Sequence, residues 1–154
     1  MVGFVNVLLT LFIFVGISLD DVVPHFVIIL CLAPFVVALN KWFGYLPAAY
    51  LFSLMGLYLF FTLTWIYGFD SFIMLYYFPM LISTIQMLGR KETWKHMVVL
   101  LMLYLLSIIV LTFLLNQGNL VDLSTETIEF LRPFNMVMSF MLSVVMIIFV
   151  TYEN

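Results

Sequence analysis

Thirteen charged residues (five Lys or Arg, eight Asp or Glu) are spread so thinly over 154 positions that they leave six long uncharged runs. The runs cover 1–19, 22–40, 42–69, 71–89, 96–121 and 133–152, with lengths of 19, 19, 28, 19, 26 and 20 residues. A helix needs about 20 apolar residues to cross a hydrocarbon core. Six runs of that length predict six transmembrane helices. A transmembrane barrel would instead show alternating segments of about 10 residues. Val98-Val99-Leu100-Leu101-Met102-Leu103 does not alternate. In lipid, a helix satisfies its own backbone, so helices remain.

The expected fold class is therefore an all-α, polytopic membrane bundle, with residues 1–154 as a single domain. The predicted spans are 2–18, 24–41, 47–67, 71–88, 94–115 and 134–152, with one longer loop at 116–133. The first span lacks a basic leader and a small-x-small cleavage site, so it reads as a retained helix rather than a signal peptide. Composition excludes other classes. Apolar residues make up 66% and charged residues 8%, and mean hydropathy is +1.26. A soluble chain carries roughly 25% charged residues. A net charge of −3 argues against a phosphate-tracking surface, so no nucleic-acid partner is expected. The single Cys31 excludes an intramolecular disulfide, a CxxC pair and a cysteine zinc site.

Charge sorting predicts the orientation. Lys41 falls between spans 2 and 3, and Arg90, Lys91 and Lys95 fall between spans 4 and 5. With six spans these loops share a side with both termini. The opposite side carries Asp20, Asp21, Asp70, Asp122, Glu126 and Glu129, with Arg132 alone among them. The positive-inside rule places both termini in the cytoplasm of a cell whose inner (plasma) membrane holds the chain. Trp42, Tyr45, Trp65, Tyr67 and Trp94 lie near span ends, where an aromatic belt belongs. In the long loop, Asn116-Gln117-Gly118-Asn119 reads as a helix stop and turn. Asp122-Leu123-Ser124-Thr125-Glu126 reads as a new helix start. Pro133 is expected to open the last span.

Candidate sites are few. No ionisable residue falls deep inside a span, which speaks against proton relays and ion-coupled transport. His25 and His96 are expected at opposite ends of the bundle and cannot share a metal or haem. No metal site or cofactor is expected. Pro34 and Pro79 fall near the middles of spans 2 and 4, where each kinks its helix, either as a hinge or simply to shape packing. Ser83 and Gln86, three apart on one face, and Asn6 and Asn135 within their spans are expected to bond between helices. Gly56 and Ser53 allow close helix contact. Trp65, Tyr76, Tyr77 and Phe78 are candidates for an aromatic ligand pocket. The alternative is chance clustering in a chain that is 18% aromatic. There is no GxSxG, HExxH or Walker A sequence, so the chain is not expected to be an enzyme.

One residue pattern resembles a known group. Leu39-Asn40, Gly44 and Ala48-Ala49 lead into span 3, and Phe69-Asp70-Ser71 precedes Tyr77-Phe78-Pro79. Arg90-Lys91 follows in a basic loop, Phe134-Asn135 opens the last span and Tyr152-Glu153-Asn154 closes it. Together they resemble the N-terminal multi-helix membrane sensor domain of bacterial membrane-bound histidine kinases and class III nucleotide cyclases. The resemblance implies a sensory module that passes a signal through its last helix to a cytosolic output. It implies no ligand. No phospho-accepting His motif or cyclase sequence is present. The expected partners are the bilayer, a second copy of the chain or a cytosolic signalling domain. Two rival expectations stand beside it: a small-solute-binding subunit of a transporter, and a structural subunit of a membrane assembly.

Overall fold

The computed structural model describes residues 19–88, 92–116 and 124–153; the predicted span 2–18, with Asn6, lies outside them. Among the described residues, five α-helices run in order: α1 (Leu19–Phe43), α2 (Tyr45–Tyr67), α3 (Tyr77–Leu88), α4 (Trp94–Leu115) and α5 (Thr125–Glu153). Two 3-10 turns, Phe69–Ser71 and Ile73–Tyr76, connect α2 to α3. No strand occurs among the described residues.

Four helices, α1, α2, α4 and α5, are long and apolar enough to cross a membrane. At 1.5 Å per residue they measure roughly 33–44 Å, against a hydrocarbon core of about 30 Å. Segment 71–88, expected as one helix, is different. Only its last 12 residues are α-helical, and the rest is 3-10 turn interrupted at Phe72.

Pro79 lies in the first turn of α3, not in mid-helix. In that turn its missing N–H costs little, which makes Pro79 a helix starter. Pro34 does fall inside a helix, and α1 runs through both Pro24 and Pro34. Pro133 is likewise internal. The helix start expected near Ser124 and the last span form one continuous 29-residue helix. Ser124 starts it: its Oγ accepts the Thr127 N–H at 3.2 Å, the bond of an N-cap.

α1 and α2 form a hairpin joined by Gly44 alone, whose φ of 86° and ψ of 177° suit glycine and few other residues. α2 is central and packs on α1, α3 and α4, while α5 packs on α3 and the two 3-10 turns. The chain thus alternates between an end marked by Lys41 and Lys95 and an end marked by Asp70 and Arg132.

Three apolar clusters fill the interior. At the Asp70 end, Ile29, Leu63, Ile73, Tyr76 and Leu131 join α1, α2, the second 3-10 turn and α5. In the middle, Tyr77, Met80 and Tyr104 join α3 and α4. At the Lys41 end, Ala49, Leu88 and Leu100 join α2, α3 and α4. Gly56 lets Met80 lie directly on α2, because a Cβ there would sit 2.0 Å from the Met80 methyl.

Polarity is inverted relative to a water-soluble domain. Ser53, Thr64, Ser71, Thr84 and Asn135 are fully buried, while Phe35, Val37, Met102, Phe113 and Phe140 are exposed. Hydroxyls inside and apolar chains outside fit a surrounding of lipid.

Candidate functional site

The chain between α2 and α3 is the part that helix propensity alone does not explain. Gly68 takes φ 77° and Phe72 takes φ 59°, and both leave the right-handed region. For Phe72, a bulky L-residue, the left-handed conformation costs about 1–2 kcal/mol. A broken backbone in an apolar surrounding also frees carbonyls that need donors.

α5 supplies those donors from a single face. Arg132 donates from Nε to the Asp70 carbonyl at 3.2 Å and from a terminal nitrogen to the Asp70 carboxylate at 2.6 Å. Asn135 Nδ2 donates to the Ser71 carbonyl at 2.7 Å, and its Oδ1 accepts the Tyr76 hydroxyl at 3.3 Å. Ser139 Oγ donates to the Leu75 carbonyl at 2.7 Å. The spacings 132, 135 and 139 are those of one helical stripe. The Ser71 hydroxyl closes the segment on itself by donating to the Gly68 carbonyl at 2.7 Å.

Pro79 explains why Ser139 is needed. In a continuous helix the Leu75 carbonyl would accept from the N–H four residues on, and residue 79 has none. The Tyr77 N–H, shared with the Met74 carbonyl, and the Ser139 hydroxyl from α5 serve it instead.

The stripe continues to the Lys41 end. Gln86 Nε2 donates to the Met146 carbonyl at 2.6 Å, and Ser83 Oγ donates to the Met146 sulfur at 3.4 Å. α5 is therefore tied to the broken segment near one end and to α3 near the other. Its opposite face carries exposed Phe130 and Val137.

A second polar node joins α2, α3 and α4. The Ser53 and Thr84 hydroxyls share a hydrogen bond at 3.3 Å, and Tyr104 donates to the Ser53 carbonyl at 3.1 Å. Ser107 donates to the Tyr77 hydroxyl at 3.4 Å.

The four aromatic candidates do not converge. Tyr76 stacks on Phe60 with ring centres 5.4 Å apart, inside the Asp70-end cluster. Tyr77 meets Tyr104 edge-on at 5.9 Å, in the middle cluster. Phe78 is 59% exposed, and Trp65 is half-buried on α2. Successive helical residues point about 100° apart, so neighbours in sequence serve different neighbours in space.

The histidines each meet a tyrosine of α2. His25 Nδ1 lies 2.8 Å from the Tyr58 hydroxyl, and His96 Nδ1 lies 2.9 Å from the Tyr50 hydroxyl. Among the described residues, no three His, Cys, Asp or Glu gather as a metal site would require.

Sequence reasoning missed Arg132 and Ser139. Two signals pointed to them. Arg132 was the lone cation among acidic neighbours, and Ser139 lies on the helical stripe of Asn135. Compared with known proteins, the chain matches no family model, no curated protein and no solved structure.

Proposed function

We propose that this chain is a membrane-embedded signalling module. A change in packing at its Asp70 end is carried along α5 to a cytosolic partner or output domain at the Glu153 end. One observation carries the reading. A single unbroken helix bonds the irregular segment through Arg132, Asn135 and Ser139 and, further along, holds α3 through Met146. The helix continues through Pro133 without a break, which gives a shift at its first turns a path to its last. The stimulus must favour one packing over the other to act.

In this proposal the chain crosses the inner (plasma) membrane six times, with 2–18 as the first crossing and 71–88 as the fourth. The Lys41 and Lys95 end faces the cytoplasm by the positive-inside rule. The chain performs no catalysis itself.

The test uses the full chain with Cys31→Ser, reconstituted in lipid nanodiscs. A spin label at Ile148, an exposed position of α5 near the Glu153 end, reports on the far end of the helix. Arg132→Gln breaks the ion pair at the other end. The expected result is a changed label mobility or distance to a second label at Trp42. An unchanged spectrum overturns the proposal.

A further inference from the structure

The segment between Gly68 and Pro79 holds an irregular form at the cost of a left-handed Phe72. Phe72 is the only non-glycine residue with positive φ among the described residues. Its left-handed turn is flanked by 3-10 turns that run directly into α3. Nothing in residues 69–75 forbids an α-helix, because the segment contains neither glycine nor proline.

The hydrogen-bond accounting shows what each form needs. In the described form, the Asp70, Ser71 and Leu75 carbonyls take donors from Arg132, Asn135 and Ser139 of α5. In an α-helical form, the Asp70 carbonyl would accept the Met74 N–H and the Ser71 carbonyl the Leu75 N–H. Two of the three carbonyls would then need nothing from α5. The third would keep its bond to Ser139, because Pro79 has no N–H to offer Leu75 in either form.

We infer that residues 69–75 are a sprung segment that rewinds to α-helix when Arg132 and Asn135 release Asp70 and Ser71, while the Ser139 bond to Leu75 stays as the pivot beside Pro79. This deepens the signalling reading and rests on it: it names the element whose two forms α5 senses. Rewinding also brings Phe72 to a right-handed φ, which removes the strain of the latched form. The rise falls from about 2.0 to about 1.5 Å per residue, so the α2–α3 connection draws inward along the axis by a few ångströms. The Arg132 guanidinium, which lies 5.8 Å from the Phe72 ring centre in the latched form, loses that partner as well.

Glycine and alanine at position 72 read the backbone form directly. Glycine is the better residue where φ is positive, and alanine is the better one inside a helix. Thermal unfolding of the full chain in nanodiscs is measured for Phe72→Gly and Phe72→Ala, in the wild-type background and in two released backgrounds. In the wild type, F72G is expected to unfold about 2–4 °C above F72A. With Asn135→Leu the order is expected to invert. With Arg132→Gln, an exposed and milder change, the gap is expected to narrow. An unchanged gap in both released backgrounds overturns the inference. Where Asn135→Leu yields no folded chain, the Arg132→Gln comparison decides alone. The readout needs no signal output, so its failure is separable from a failure of transmission at Ile148. An inverted order with a silent Ile148 label would overturn transmission and leave the sprung segment standing.

Discussion

Gly44 shows how much one residue decides. It is the whole connection between α1 and α2, and an added Cβ would meet no atom within 4 Å. The obstacle to a side chain there is conformational, not steric crowding. Gly44→Ala is expected to destabilise the chain by about 1–3 kcal/mol, read by unfolding in a mild detergent. Gly56 is the opposite case: its backbone is ordinary, and the space above it belongs to the tip of Met80. Because that tip is flexible, Gly56→Ala should be tolerated, whereas Gly56→Leu should separate α2 from α3 and lower the unfolding midpoint markedly. Asn135 was legible as an intramembrane polar residue in search of a partner. That its partner would be a carbonyl of an irregular segment was not, because hydropathy carries no information about backbone breaks.

At the scale of the element, α3 and α5 are written for each other. Pro79 removes a donor and Ser139 supplies one, sixty residues later in the chain. A double-mutant cycle tests this pairing. Ser139→Ala is expected to cost about 1 kcal/mol in the wild type, where it leaves the Leu75 carbonyl only the backbone N–H of Tyr77, which the Met74 carbonyl shares. In a Pro79→Ala background the restored N–H can serve Leu75, and the same change should cost much less. Equal costs in both backgrounds would show that Ser139 does not stand in for the missing N–H. The long helices could be read from uncharged runs because each satisfies its own backbone. Span 71–88 defied that reading because its uncharged length is shared between helix and turns. The helix start beside Ser124 was legible, but its continuity with the last span was not, since Pro133 reads as the first residue of a new helix and instead lies inside α5.

For the whole molecule, the alternation of direction places Lys41 and Lys95 at one end and Asp70 and Arg132 at the other. Cysteines introduced at positions 41 and 95 are expected to react with an impermeant maleimide from the same side of sealed vesicles, and one at position 126 from the opposite side. Labelling of positions 41 and 126 from one side would overturn the orientation. The helix order around the bundle was not legible from composition, because every span is apolar on most of its surface. What arranges the neighbours is the minority of polar groups: the Ser53–Thr84 pair, the Tyr104 bond and the stripe on α5.

The shortness of α3 has a consequence for the lipids around it. Ile73–Leu88 is shorter than the candidate spanning helices, and it sits between α4 and α5. Twelve α-helical residues and a 3-10 turn of four reach about 26 Å, against about 33 Å for α4. A bilayer thick enough to suit α4 overhangs α3 by several ångströms. Hydrophobic mismatch of that kind is met by local thinning or by drawing head groups inward. If 71–88 is a crossing, as proposed, the membrane beside α3 would be pinched where it borders the broken segment, and acyl-chain length would press on this flank of the bundle.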